Sequence, residues 1–173
     1  MLELSLVVCT FSKKGRSMLH LKECALAGII SVTASGSLAA DFTVERAIQF
    51  ASSPEEAWNV VGDFCDVDDW HPLVNSCTLK VIDGSLHRIL VLADGAEFVE
   101  KRIAVEPGLS YTYKTVSSPL PLEKYTATVS ITMGAKSTVT WSGRFSSQDP
   151  EMEKAVAEFY ETGLTEIEAR LKN

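Results

Sequence analysis

The chain has no surplus of basic residues. Sixteen Lys and Arg stand against 23 Asp and Glu, a formal net charge of -7. A protein that neutralises nucleic-acid phosphates needs the opposite balance, so no nucleic-acid partner is expected. The sequence also lacks internal repeats, low-complexity runs and coiled-coil heptads, which excludes solenoids and extended fibres. No phosphate-binding Gly loop and no Ser-His-Asp or Cys-His nucleophile set is apparent. Cysteine is scarce at four residues, and Cys9, Cys24, Cys65 and Cys77 do not have zinc-site spacing. What remains is a chain of 173 residues, 46% hydrophobic and 23% charged. That is enough for one globular domain with a sizeable core and a short extension.

The extension is N-terminal. Lys13, Lys14, Arg16 and Lys22 precede an apolar run from Cys24 to Ala34, which leads to the small-residue site Ser37-Leu38-Ala39. Basic segment, apolar segment and small-residue site in that order mark a secretory signal. Residues 1–39 are therefore expected to direct export and to be cleaved near Ala39, leaving a periplasmic or secreted protein. Met18 would give a signal of ordinary length and is a candidate true start. The apolar run is short for a spanning helix and diluted by Ser, Thr and Gly, so no membrane insertion of the mature chain is expected. Cys65 and Cys77 survive cleavage. Export permits a disulfide between them, but two buried free thiols are the preferred reading.

In the mature chain the clearest element is its last. From Glu151 to Leu171, Met152, Ala155, Val156, Phe159, Tyr160, Leu164, Ile167 and Leu171 recur at three- and four-residue steps, one stripe of an amphipathic helix roughly 30 Å long. Pro150 suits its first turn, with Asp149 as candidate cap. Gly163 interrupts the stripe at a cost of about 1 kcal/mol, which either close packing against a strand or room for a ligand would justify. Upstream, Phe42 to Phe50 alternates as a strand. Ser53-Pro54-Glu55-Glu56 then opens a short helix. Two short helical turns follow, broken by Pro72. The carboxylates of Asp63, Asp66, Asp68 and Asp69 beside His71 read as helix caps rather than metal ligands, and no metal is expected. Six further strands end at Asp83-Gly84, Asp94-Gly95, Pro107-Gly108, Ser117 to Pro121, Gly134 and the final helix. Hairpin-length turns make the sheet antiparallel. Only the last helix is large enough to cover its dry face, and a gap between the two would hold a ligand.

This order, with Ser53 to Trp58, Asp63-Phe64, Trp70-His71-Pro72, Val99-Glu100-Lys101, Ser118 to Pro121, Tyr125 and Thr138 to Ser142, resembles the polyketide cyclase/dehydratase-like branch of the SRPBCC superfamily, the START-like and birch-pollen-allergen-like proteins. The resemblance covers residues 41–173. It implies an α+β helix-grip fold: a seven-stranded curved antiparallel sheet wrapped around a long C-terminal helix, with two short helices after the first strand. It also implies a cavity for a small hydrophobic molecule and no cofactor. The expected ligand-binding residues are Trp70, Phe98, Tyr113, Leu120, Tyr125, Trp141, Phe159, Tyr160 and Gly163, with Ser117 to Leu122 a stiff loop at the mouth. The plant lachrymatory factor synthases are similar at Trp58, Asp63-Phe64-Cys65, Trp70, Pro72, Cys77, Glu100-Lys101 and Tyr125, and their catalytic Arg and Glu fall on Arg88 and Glu100. His71 departs from that pattern, where those enzymes carry an aromatic residue.

Whether Arg88 meets Glu100 depends on one turn. A two-residue Asp94-Gly95 loop sets Arg88 against Lys101. A three-residue Ala93-Asp94-Gly95 loop sets Arg88 against Glu100, and avoiding like charge favours the second. On a pocket wall such a Glu could move a proton while Arg steadies negative charge. The sequence thus supports an exported binder of a small hydrophobic ligand, with a cofactor-free cyclase, dehydratase or isomerase using Arg88 and Glu100 as the alternative.

Overall fold

The computed structural model describes residues 38–133 and 136–172. The expected export signal, apart from Leu38 and Ala39, lies outside the described residues, as does the turn at Gly134. The element order is β1 (Ala40–Phe50), α1 (Pro54–Val61), α2 (Val67–Trp70), β2 (Val74–Ile82), β3 (Ser85–Leu92), β4 (Glu97–Glu106), β5 (Ser110–Ser117), β6 (Glu123–Thr132), β7 (Ser137–Ser147) and α3 (Glu151–Leu171). The strands form one antiparallel sheet in the order β1-β7-β6-β5-β4-β3-β2. Hairpins join β2 through β7 in sequence, while α1 and α2 carry the chain from one edge strand to the other. This is the helix-grip arrangement.

Local chemistry explains the helix starts. The Ser53 side chain accepts from the Glu56 N–H while Glu56 returns a bond to the Ser53 N–H, a complete capping box with Pro54 in the first turn. At α3 the Asp149 carboxylate accepts from the Glu151 N–H at 3.0 Å, so Asp149 does the capping work that Pro150 cannot.

Cross-strand rows pave the concave face. Tyr111, Val129 and Trp141 align across β5, β6 and β7, and Tyr113, Ala127 and Gly143 form the next row. All of these side chains are buried apart from Gly143, which has none. A Cβ on Gly143 would lie 2.2 Å from the Tyr160 hydroxyl, so the missing side chain is the niche that seats Tyr160 of α3. Tyr160 then stacks on Trp141, ring centroids 4.4 Å apart and planes within 10°. Burying side chains of this size is worth about 1.5–3 kcal/mol each. β4 carries register shifts at Val99/Glu100 and Arg102/Ala104. Ahead of the second bulge Glu100 faces inward with Arg88; beyond it Val105 aligns with Tyr111, yet Ile103 and Val105 stay exposed.

Cys65 and Cys77 are joined in a disulfide, which corrects the preference for free thiols and ties the α1–α2 link to β2. The acidic run does not cap α2, whose N-cap residue Asp66 makes no side-chain cap hydrogen bond, which corrects the helix-cap reading; two of its carboxylates hold backbone N–H groups elsewhere. Asp63 accepts from the Cys65 N–H and Asp68 from the Cys77 N–H. No cluster of potential metal ligands occurs among the described residues, and no helix there is long and apolar enough to cross a membrane.

Gly163 serves helix-to-helix packing. A Cβ there would meet His71 Cδ2 at 2.6 Å and the Trp70 ring at 2.9 Å. The bare backbone lets the His71 ring stack on Phe159, centroids 3.9 Å apart. His71 Nδ1 accepts from the Leu73 N–H, so Nε2 carries the proton and donates to the Phe159 carbonyl at 3.0 Å. Burial lowers the His71 pKa below its ordinary 6.5, outweighing the Phe159 hydrogen bond.

Two predictions follow from this clamp. Gly163→Ala gains about 1 kcal/mol of helix propensity. It also crowds a ring fixed at both nitrogens, an overpacking cost of about 1–3 kcal/mol, so urea unfolding will show a net loss of stability. Next, an unfolded chain protonates His71 near 6.5 whereas the folded one resists it. The His71 contribution is therefore complete above that value and is lost as pH falls below it. The stability gap between wild type and His71→Gln will narrow from about pH 7 to about pH 5.5; a constant gap would show that His71 does not titrate differently on folding.

Candidate functional site

A cavity of about 110 Å³ lies between α3 and the β3–β7 part of the sheet. Phe98, Tyr113, Leu120, Tyr125, Trp141, Phe159 and Tyr160 lie on its wall, together with Arg88 and Glu100. Trp70 and Gly163, also read as ligand-binding residues, are not on that wall. Trp70 is buried behind it, edge-on to Trp141 with centroids 5.8 Å apart, and its ring fills the space that Gly163 leaves open. Val67, Thr115 and Leu122 complete parts of the wall that sequence reasoning did not assign. The alternation of β5 already set Thr115 on the side of Tyr113, and that signal was available. Leu120 is 40% exposed and marks the mouth. Its loop is held by the Ser147 hydroxyl donating to the Pro121 carbonyl at 2.8 Å.

The hairpin between β3 and β4 builds the charged end. Gly95 has φ +87°, the left-handed conformation that a three-residue loop requires. The Leu92 N–H donates to the Ala96 carbonyl, and Arg88 aligns with Glu100. Arg88 Nε donates to Glu100 Oε2 at 2.7 Å and Nη1 donates to the Phe64 carbonyl at 2.8 Å. Its guanidinium also lies 4.4 Å from the Phe64 ring centre and 4.6 Å from that of Tyr113, cation–π contacts worth about 2 kcal/mol when desolvated. Only 1% of the Arg88 side chain and 8% of that of Glu100 is exposed. Burial is the largest single effect and would lower the Arg88 pKa, but the charge and hydrogen bond of Glu100 together with Tyr111 and Tyr113 outweigh it and the pKa is raised. The pair stays charged internally and neutral as a unit.

The phenols form the second polar group. The Trp141 Nε1–H donates to the Tyr113 hydroxyl at 3.0 Å, and the Tyr125 and Tyr160 hydroxyls bond each other. Burial raises the pKa of all three, with nearby Glu100 acting in the same direction. All three are therefore protonated donors at neutral pH. The remaining wall is hydrocarbon and aromatic. Such a site can enclose a compact apolar body while offering hydrogen bonds at one end.

The buried ion pair generates a stability prediction. Glu100→Leu strands a buried guanidinium and will cost about 3–5 kcal/mol in urea unfolding. The double variant Arg88→Met/Glu100→Leu removes both charges and will be the more stable of the two. A double variant weaker than Glu100→Leu would contradict the stranded-charge account, and its difference from wild type measures the net contribution of the pair.

Comparison with known proteins places this geometry. Residues 41–172 match the sequence profile of the family described as polyketide cyclase/dehydrase and lipid transport. No curated protein matches the sequence. Among solved structures, XoxI from Bacillus cereus is 25% identical with a TM-score of 0.69, covering 76% of this chain and 96% of its own. Ginseng (Panax ginseng) major latex-like protein 151 shares the fold at 18% identity and a TM-score of 0.64, over 76% of this chain and 97% of its own. The di-domain ARO/CYC StfQ from the steffimycin biosynthetic pathway does so at 14% and 0.62, over 79% of this chain and 51% of its own.

Proposed function

The chain belongs to the polyketide cyclase/dehydrase and lipid transport family, and from that premise we propose that it binds a small hydrophobic molecule in the chamber between the sheet and α3, outside the cytoplasm. One observation carries the reading: a mainly apolar cavity of about 110 Å³ between the sheet and α3, with Tyr113, Tyr125 and Tyr160 among the residues that line it. For comparison, an apolar protein cavity of about 150 Å³ holds benzene. Phe98, Leu120, Trp141 and Phe159 supply apolar contact; Tyr113, Tyr125 and Tyr160 orient the ligand. Export is supported by the order of segments before Asp41 and by the start of β1 at Ala40. Leu38 is 90% exposed and Ala39 and Ala40 are exposed too, so the proposed cleavage point is open to a peptidase. A disulfide between Cys65 and Cys77 suits an oxidising compartment.

A catalytic reading places the same buried pair on the cavity wall, with Glu100 as acid or base and Arg88 as stabiliser. Binding is preferred, because the bond from Arg88 to Glu100 Oε2 holds that carboxylate oxygen away from a substrate proton.

Native mass spectrometry on protein purified from its own host tests the proposal. The expected spectrum shows a chain beginning at Ala40 that carries a small organic compound released on unfolding. Glu100→Gln retains that compound. A chain that begins at Met1 or Met18 and neither carries nor takes up any small apolar compound contradicts the proposal. Conversion of the compound by wild type, abolished in Glu100→Gln, would instead establish the catalytic reading.

A further inference from the structure

Hydrogen-bond accounting at the polar end of the cavity narrows the ligand class. An indole N–H only donates, so in the contact between Trp141 Nε1 and Tyr113 the phenol oxygen is the acceptor. The Tyr113 O–H proton is then unused, and no acceptor for it is present among the described residues. The Tyr125–Tyr160 contact consumes one of its two protons and leaves the other. Tyr113 and Tyr125 have ring centroids 6.2 Å apart, and all three phenols line the same chamber. The residues lining the chamber therefore carry two phenol protons without an acceptor among the described residues.

Charge imposes the second restriction. Among the described residues the only cationic side chain on the wall is Arg88, and its charge is already neutralised by Glu100, with the Phe64 carbonyl and two aromatic faces holding it in place. An anionic ligand would enter beside a buried carboxylate with no free cation to meet it. A cationic ligand would have to compete with Arg88 for Glu100. Either would leave a charge desolvated without a partner.

Resting on the reading of this chamber as a ligand site, we propose that it selects neutral molecules of about benzene size that carry one hydrogen-bond-accepting oxygen, a carbonyl or an equivalent, with Tyr113 donating to that oxygen. The carbonyl oxygen has two lone pairs, so the free proton of the Tyr125–Tyr160 pair serves as second donor. The hydrocarbon part of the ligand lies toward Phe98, Leu90 and Phe159.

Three probes of matched size, cyclopentanone, methylenecyclopentane and cyclopentylammonium, are tested against wild type and Tyr113→Phe. Affinities are read by ligand-observed NMR. The expected result is that Tyr113→Phe weakens cyclopentanone by about fivefold, the worth of one neutral hydrogen bond, and leaves methylenecyclopentane unchanged. Cyclopentylammonium binds more weakly than the ketone to both proteins. An equal effect of the substitution on ketone and alkene, or tighter binding of the ammonium, overturns the selectivity while the chamber remains a ligand site. Failure of both ketone and alkene to bind wild type overturns the site itself. Because Tyr113→Phe also removes the acceptor of Trp141 and could impair folding, the C=O stretch of cyclopentanone bound to wild type gives an independent readout. A frequency below that of the ketone in hexane is expected, and a hexane-like frequency contradicts the proposal.

Discussion

The structure depends on a mismatch of widths. Seven strands spaced about 4.8 Å apart span roughly 29 Å, whereas one helix with its side chains is about 10–12 Å across. α3 must nevertheless cover the dry face alone, since α1 and α2 are too short to share the task. The sheet answers by curling, and large aromatics bridge what curling leaves. Trp141 fills the centre of the contact, stacked on Tyr160 and edge-on to Phe159 and Trp70. This packing is tight where α3 meets β7 and β1. Toward β3 and β4 the helix no longer reaches, and the cavity is the space left over.

That geometry also explains how a charged pair survives inside. Arg88 and Glu100 sit on the strands farthest from close helix contact, facing the hollow. Each is expensive to bury alone, and the arrangement removes the cost in stages. The carboxylate neutralises the guanidinium, the Phe64 carbonyl takes a second N–H, and two ring faces flank the cation. The outcome is a polar but uncharged end to an otherwise apolar chamber. A pocket so built would disfavour charged ligands and sort neutral ones by hydrogen bonding and size.

Much of this was legible from residues alone. α3 was readable because its apolar stripe continues over six turns, and the β3–β4 register because a three-residue loop with Gly95 is the turn that avoids setting Arg88 against Lys101. Three things were not. Gly163 and Trp70 look like ligand contacts from spacing, since a bare helix position and an aromatic neighbour read the same whether a ligand or a side chain fills the gap. Only the third dimension shows that they fill each other's space. The disulfide was missed, because a sequence separation of 12 residues fits a bridge and a pair of packed thiols alike and the packed thiols were preferred. Gly143 alternates with Trp141 and Phe145 along β7 and so shares their face, but its purpose lies in Tyr160, 17 residues later on another element. Contacts that cross between layers leave no periodic trace in a sequence.

Central to the account is an apolar space, not filled by side chains, between α3 and β3–β4. Crystallography of the protein under xenon pressure probes it directly, because xenon enters dry apolar cavities without needing a polar partner. The account predicts a xenon peak bounded by Leu90, Phe98 and Phe159. Diffraction showing no xenon at that position, with these side chains closed on one another, would contradict it.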